Sequence, residues 1–171
     1  MALGVVVLGA LATVAAWRLE VPRPVAATQL AALGAAIAAA AIDARQLRLP
    51  DKLTYPLAGA GVLAAVIFQI VGWQHGLLAG LACGAAYSLI LLAMALLIDV
   101  RMYGLGDVKL AAGLGVWLGA LSWDRLVAAF IAAQLILLLC VLTDRAISHR
   151  VRMIPAGPAM VAGAVLAVLT A

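Results

Sequence analysis

Between Gly76 and Ile98 the chain carries no charged side chain, and the same holds for Val25 to Ile42, Leu53 to Trp73 and Leu126 to Leu142. Apolar runs of roughly 17 to 25 residues are the length a helix needs to cross a bilayer. The overall balance agrees: 68% of residues are hydrophobic and 11% charged, against about half and a quarter in a globular domain, and the mean hydropathy is +1.22. The expectation is an all-α, polytopic membrane helix bundle embedded in a lipid bilayer. With 171 residues, it forms a single membrane-embedded domain over 1–171 with no sizeable soluble part. The net charge of +4 does not point to nucleic acid, because no basic tract exists and positive excess in membrane proteins gathers in cytoplasmic loops.

About seven spans are predicted. Met1 to Trp17 is read as the first, since it lacks the basic start of a secretory signal. The Pro22 and Pro24 connection leads to Val25–Asp43, rich in small residues that favour close helix packing. Pro50 stands where the next helix begins, with Asp51 near its capping position. Leu53 to Trp73 and Gly76 to Ile98 follow, the latter with Gly76, Gly80 and Gly84 at four-residue spacing, a stripe suited to packing within the chain or to a dimer face. Val108 to Leu121 is shorter, in the range where segments are often re-entrant or partly buried. Ser122-Trp123-Asp124-Arg125 separates it from Leu126–Leu142, and a polar loop from Thr143 to Arg152 precedes the last span, Ile154–Ala171. Cys83 and Cys140 read as small core residues, and no cluster of metal ligands is present in the sequence, so neither metal nor cofactor is expected.

Basic residues set the orientation. If the loop after Asp43 is cytoplasmic, that side holds Arg45, Arg48, Lys52, Arg101, Lys109, Arg145, Arg150 and Arg152, against Arg18, Arg23 and Arg125 opposite. That asymmetry obeys the positive-inside rule, and Trp17, Trp73, Trp117 and Trp123 fall near the other interface as an aromatic belt.

Within this frame two acids stand out. Asp107 lies in Gly104-Leu105-Gly106-Asp107-Val108-Lys109-Leu110, between a glycine turn and an apolar run; Asp43 closes the run from Val25. An acid beside a membrane core asks for a functional reason. Two carboxylates sharing a proton can hydrolyse a peptide bond, one taking a proton from water while the other polarises the carbonyl. The plain alternatives are an N-cap role for Asp107 and an ion pair of Asp43 with Arg45 or Arg48. Asp51 reads as a helix cap, Asp99 and Asp144 as loop acids, and His75 and His149 as loop histidines. Asp107 is expected at a helix N-terminus, where the macrodipole favours its charge, and Asp43 at a C-terminus, where it is opposed. Asp107 is therefore expected to be the ionised base and Asp43 the protonated acid, an order that Arg45 or Arg48 would reverse on reaching Asp43.

The segment Gly104 to Leu110 resembles the G-x-G-D-x-K-L signature of the type IV prepilin peptidases, including Gly104, Gly106 and Lys109. Asp43 followed by Pro50-Asp51-Lys52-Leu53-Thr54 is similar to that family's other catalytic segment, and Pro155-Ala156-Gly157-Pro158 to its C-terminal Pro-aromatic-Gly-Pro segment. Asp51 stands where Asn is usual and Ala156 where an aromatic is usual. The resemblance implies a catalytic pair of Asp43 and Asp107, with Pro50, Pro155, Gly157 and Pro158 supporting substrate binding. It also implies cleavage of the short basic leader of prepilins or pseudopilins at the cytoplasmic face of a prokaryotic inner membrane. The small size is similar to the tight-adherence (Flp-type) branch. Longer relatives carry a cytoplasmic insert and methylate the new N-terminus; this sequence has no such insert, and cleavage without methylation is expected. A presenilin-like protease would use the same acids but calls for Pro-Ala-Leu, where this chain has Pro155-Ala156-Gly157. A small transporter or channel would place its acids along an ion path.

Overall fold

The computed structural model describes residues 33–43, 51–72, 76–97, 104–148 and 156–169. They form six helices: α1 (Leu33–Asp43), α2 (Asp51–Val71), α3 (Gly76–Leu97), α4 (Leu105–Leu121), α5 (Trp123–Ser148) and α6 (Ala156–Leu169). No strand occurs among the described residues. Three helices hold stretches long and apolar enough to cross a membrane, Thr54–Val71, Gly76–Leu97 and Trp123–Asp144. The helix bundle is as expected, while six helices rather than seven spans lie among the described residues. The Met1–Trp17 segment, the basic loop with Arg45, Arg48 and Pro50, and Trp73, His75, Asp99, Arg101, His149 and Pro155 lie outside them.

The short fifth segment forms the centre of the molecule. α4 packs against α2 and α3 and also touches α5 and α6, while α5 leans mainly on α6. Twelve of the seventeen residues of α4 are buried, which is why its sequence is apolar on all sides. Its glycines make this possible. A Cβ on Gly115 would lie 2.8 Å from the Cα of Gly84, and one on Gly80 would lie 2.8 Å from the Val116 carbonyl oxygen. On the other flank a Cβ on Gly61 would meet the Gly113 oxygen at 2.8 Å. Gly80 and Gly84 thus serve contacts inside the chain. Gly76 differs from them, since with φ of 49° it shapes the turn from α2, where the Gln69 side chain accepts a hydrogen bond from the Leu77 N–H at 3.2 Å.

Cys140, read from the sequence as a core residue, is exposed on α5, while Cys83 is buried, and two further expectations need correction. Trp117 does not anchor at an interface: it is 1% exposed, seated beside Gly61, because the centre of a bundle needs a large side chain wherever glycines open space. Trp123, by contrast, is exposed. The second concerns α5, which runs through Asp124 and Arg125 at one end and Thr143 to Ser148 at the other, where the sequence suggests loops. No Gly or Pro occurs in that stretch to stop the helix. Only Ser122, in extended conformation, separates it from α4, and the Ser122 hydroxyl caps α5 by accepting from the Asp124 N–H at 3.2 Å.

Candidate active site

Among the described residues the buried polar or charged side chains are Asp43, Thr54 and Asp107. All three belong to the segments singled out in the sequence. Each acid is held by a backbone N–H. Asp107 is the third residue of α4, not its N-cap; Gly104 takes that position, and the Gly104 N–H donates to Asp107 Oδ2 at 2.9 Å. This is the reach-back half of a capping box. Its other oxygen, Oδ1, is buried with no hydrogen-bond partner among the described residues, an arrangement that is uncommon and costly in a folded protein.

Asp43 is the last described residue of α1 and is 5% exposed. Its Oδ2 accepts from the N–H of Gly157, 114 positions away, at 3.1 Å. Gly157 lies in the first turn of α6, where backbone N–H groups have no partner within their own helix. Asp43 lies within electrostatic range of Asp107 and disfavours charge on it. Residues 64 positions apart in the chain are therefore brought to one end of the bundle. The expected contrast between a favourable and an unfavourable dipole is reduced, because Asp43, at the end of the described part of α1, also accepts from the first turn of a second helix, α6.

The remaining motif residues divide. Gly104 is exposed, its φ of −78° suits any residue, and a Cβ there would find its nearest neighbour, Asp107 Oδ2, at 3.8 Å. Nothing among the described residues requires a glycine at that position. Lys109 places its ammonium 5.3 Å from the centre of the Tyr55 ring, a cation–π contact between α4 and α2. Pro158 follows Gly157 in α6. Thr54 closes the motif that follows Asp43, and sequence reasoning gives it no role. It is 1% exposed and lies in helical register with the buried Leu57, Gly61, Ala65 and Phe68, the side of α2 that meets α4. The signal that could have found it is one polar residue in a stripe of small and apolar ones. Among the described residues no group of three or more His, Cys, Asp or Glu could hold a metal ion.

Residues 30–142 match the model of the Type IV leader peptidase family. The chain belongs to that family. The matched region contains both acids and ends before Gly157. Among curated relatives, the prepilin leader peptidase/N-methyltransferase of Dickeya chrysanthemi is 38% identical over 97 residues, covering 57% of this chain and 33% of that protein. The protein of the same description from Aeromonas hydrophila is 33% identical over 123 residues, 68% of this chain and 40% of the relative. That of Burkholderia pseudomallei (strain 1026b) is 35% identical over 139 residues, 78% and 44% respectively. The chain thus spans between a third and under half of the length of these relatives. No solved structure matches it.

Proposed function

We propose that this type IV leader peptidase family member is a membrane aspartyl endopeptidase that removes the short basic leader of type IV prepilins or pseudopilins, with Asp43 and Asp107 as the catalytic pair. The observation that carries the reading is the convergence of two buried carboxylates at one end of the bundle. Each is fixed through one oxygen, and Asp107 Oδ1 is left open. In the proposed reaction one acid is ionised and the other protonated. The ionised member takes a proton from a water molecule, whose oxygen attacks the scissile carbonyl carbon; the protonated member gives its proton to the carbonyl oxygen. Collapse of the tetrahedral intermediate breaks the C–N bond: the proton gained from water passes to the leaving amine, and one hydroxyl proton of the intermediate returns to the acid that had given it, restoring the singly protonated pair. Fixing both carboxylates before substrate arrives supplies the orientation such a step needs.

Gly104 supports a substrate running across the mouth of the site. It is a glycine that the described fold does not require, and its own N–H holds Asp107, so its missing side chain leaves room for an extended peptide backbone beside that acid. The position of both acids at helix ends supports a leader peptide reaching them from an aqueous face rather than an ion path at mid-membrane. The excess of basic residues on that side supports the cytoplasmic face.

The deciding experiment is a prepilin processing assay on membranes containing Asp43→Asn or Asp107→Asn, with protein levels checked. Both variants are expected to lose cleavage by about 10²- to 10⁴-fold, the usual contribution of a positioned acid or base. Full activity in either overturns the pair. Orientation is read separately by single-cysteine labelling in a variant lacking Cys83 and Cys140. Position 102 is expected to label from the cytoplasm and position 124 from outside; labelling of both from one side makes α4 a re-entrant helix.

A further inference from the structure

Gly157 stands in a motif at the start of the last helix, and sequence alone gives it to substrate binding. Its surroundings say something narrower. Of the glycines with backbone in the left-handed region, the described residues show only Gly72 and Gly76; Gly157 is helical, a conformation alanine adopts with less entropic cost. Backbone conformation therefore does not explain the glycine. Space does. A Cβ on Gly157 would lie 2.7 Å from Asp43 Oδ2 and 3.3 Å from both Cβ and Cγ of Asp43. The carboxyl group of Asp43 occupies the place where a side chain on residue 157 would go, and it receives the N–H of that same residue at 3.1 Å.

The support on either side is rigid. Asp43 and Gly157 are both buried, as is Ala156. Pro158, the next residue, has no N–H to offer in place of that of Gly157. α6 itself is pinned to α5, where a Cβ on Gly163 would lie 2.7 Å from the Ala133 nitrogen and 3.0 Å from its Cβ. A helix held that closely along its length presents its first turn at a fixed point.

We infer that Gly157 is a positioning residue: its N–H and its missing side chain hold the Asp43 carboxyl group in the orientation that faces Asp107, and it acts on cleavage through Asp43 rather than through contact with the leader. This rests on the peptidase reading of the acid pair. A merely structural glycine would lower the amount of folded protein and leave the turnover of what remains unchanged. A substrate-contacting glycine would weaken binding of the peptide. A positioning glycine lowers kcat at unchanged affinity, and its loss alters the vibrational signature of Asp43.

The test uses Gly157→Ala in the full chain. Turnover of a prepilin leader peptide is expected to fall by about 10- to 100-fold, the scale of an angstrom-sized misplacement of a reacting group. Affinity for a fluorescent leader peptide, measured in an Asp107→Asn background that does not cleave it, is expected to stay within about twofold. Infrared difference spectra in that same background are expected to show the Asp43 carboxyl bands shifted by Gly157→Ala. Unchanged kcat, a loss of affinity that accounts for the whole effect, or an unmoved Asp43 band each overturns the proposal. Should Gly157→Ala fail to accumulate, Asp43→Ala combined with Gly157→Ala restores accumulation if the clash is with Asp43; continued absence overturns the proposal. Because the infrared arm does not depend on cleavage, it still tests the Asp43–Gly157 arrangement if Asp43→Asn proves active and the peptidase reading itself fails.

Discussion

α4 and α5 are separated by a single residue, Ser122, and differ in nearly every other respect. α4 has 17 residues, about 25 Å at 1.5 Å per residue, and is buried along most of its length by four neighbouring helices. α5 has 26 residues, and only 22% of its stretch Trp123–Asp144 is buried, with Leu135, Leu138, Leu139 and Leu142 all turned outward. By hydropathy α5 is the stronger membrane segment. By position α4 is the core, and it carries the acid. In a bilayer the lipid tails are as apolar as leucine, so hydrophobicity does not choose which helix goes inside; small residues that let backbones approach do. α4 has Gly113, Gly115 and Gly119 for that purpose, whereas α5 has no glycine at all.

The contrast breaks most directly at the acids. Asp107→Asn on α4 is expected to reduce prepilin cleavage by about 10²- to 10⁴-fold, while Asp124→Asn at the start of α5 stays within about twofold in the same assay. Comparable losses in both would mean that α5 also carries an acid the reaction needs. Next in size is packing. Gly115→Leu must displace the backbone of Gly84, and the cost of overpacking, about 1 to 3 kcal/mol or more, is expected to appear as reduced folded yield in detergent. Leu135→Ala on the outer face of α5 is expected to change stability by less than about 0.5 kcal/mol, and a cost near that of Gly115→Leu would show a protein partner on that face. The smallest effect is expected at the edge of α4. Tyr55→Leu removes the ring beneath Lys109, and denaturation should register no more than about 0.5 to 1 kcal/mol, as for cation–π contacts at exposed sites.

The helices and the acids are legible in the sequence, but unevenly. Long uncharged runs and the polar breaks between them, such as that beginning at Ser122, locate the helices among the described residues, because chain length in lipid is a one-dimensional constraint. The two acids are legible for the same reason: a charge interrupting an apolar run is conspicuous. The central role of α4 is not, since hydropathy measures suitability for lipid and α4 meets very little of it. The aromatic-belt rule misplaces Trp117 as well, an aromatic near a segment end that the fold turns inward. The Asp43–Gly157 contact is the least legible. Both residues sit in recognisable motifs, but only the docking of α6 against α5 says that a glycine amide at position 157 arrives at an acid at position 43.

That contact also sets a schedule. Chains emerge from the ribosome from the N-terminus at roughly 5 to 20 residues per second, so Asp43 is made about 6 to 23 seconds before the amide that holds it. Asp107 and its Gly104 tether are complete locally, within a single helical turn. Asp43 must wait for the sixth described helix to dock. A nascent chain halted before Gly157 holds both acids and lacks the N–H that Asp43 accepts from, so completion of the proposed site is tied to synthesis and insertion of α6.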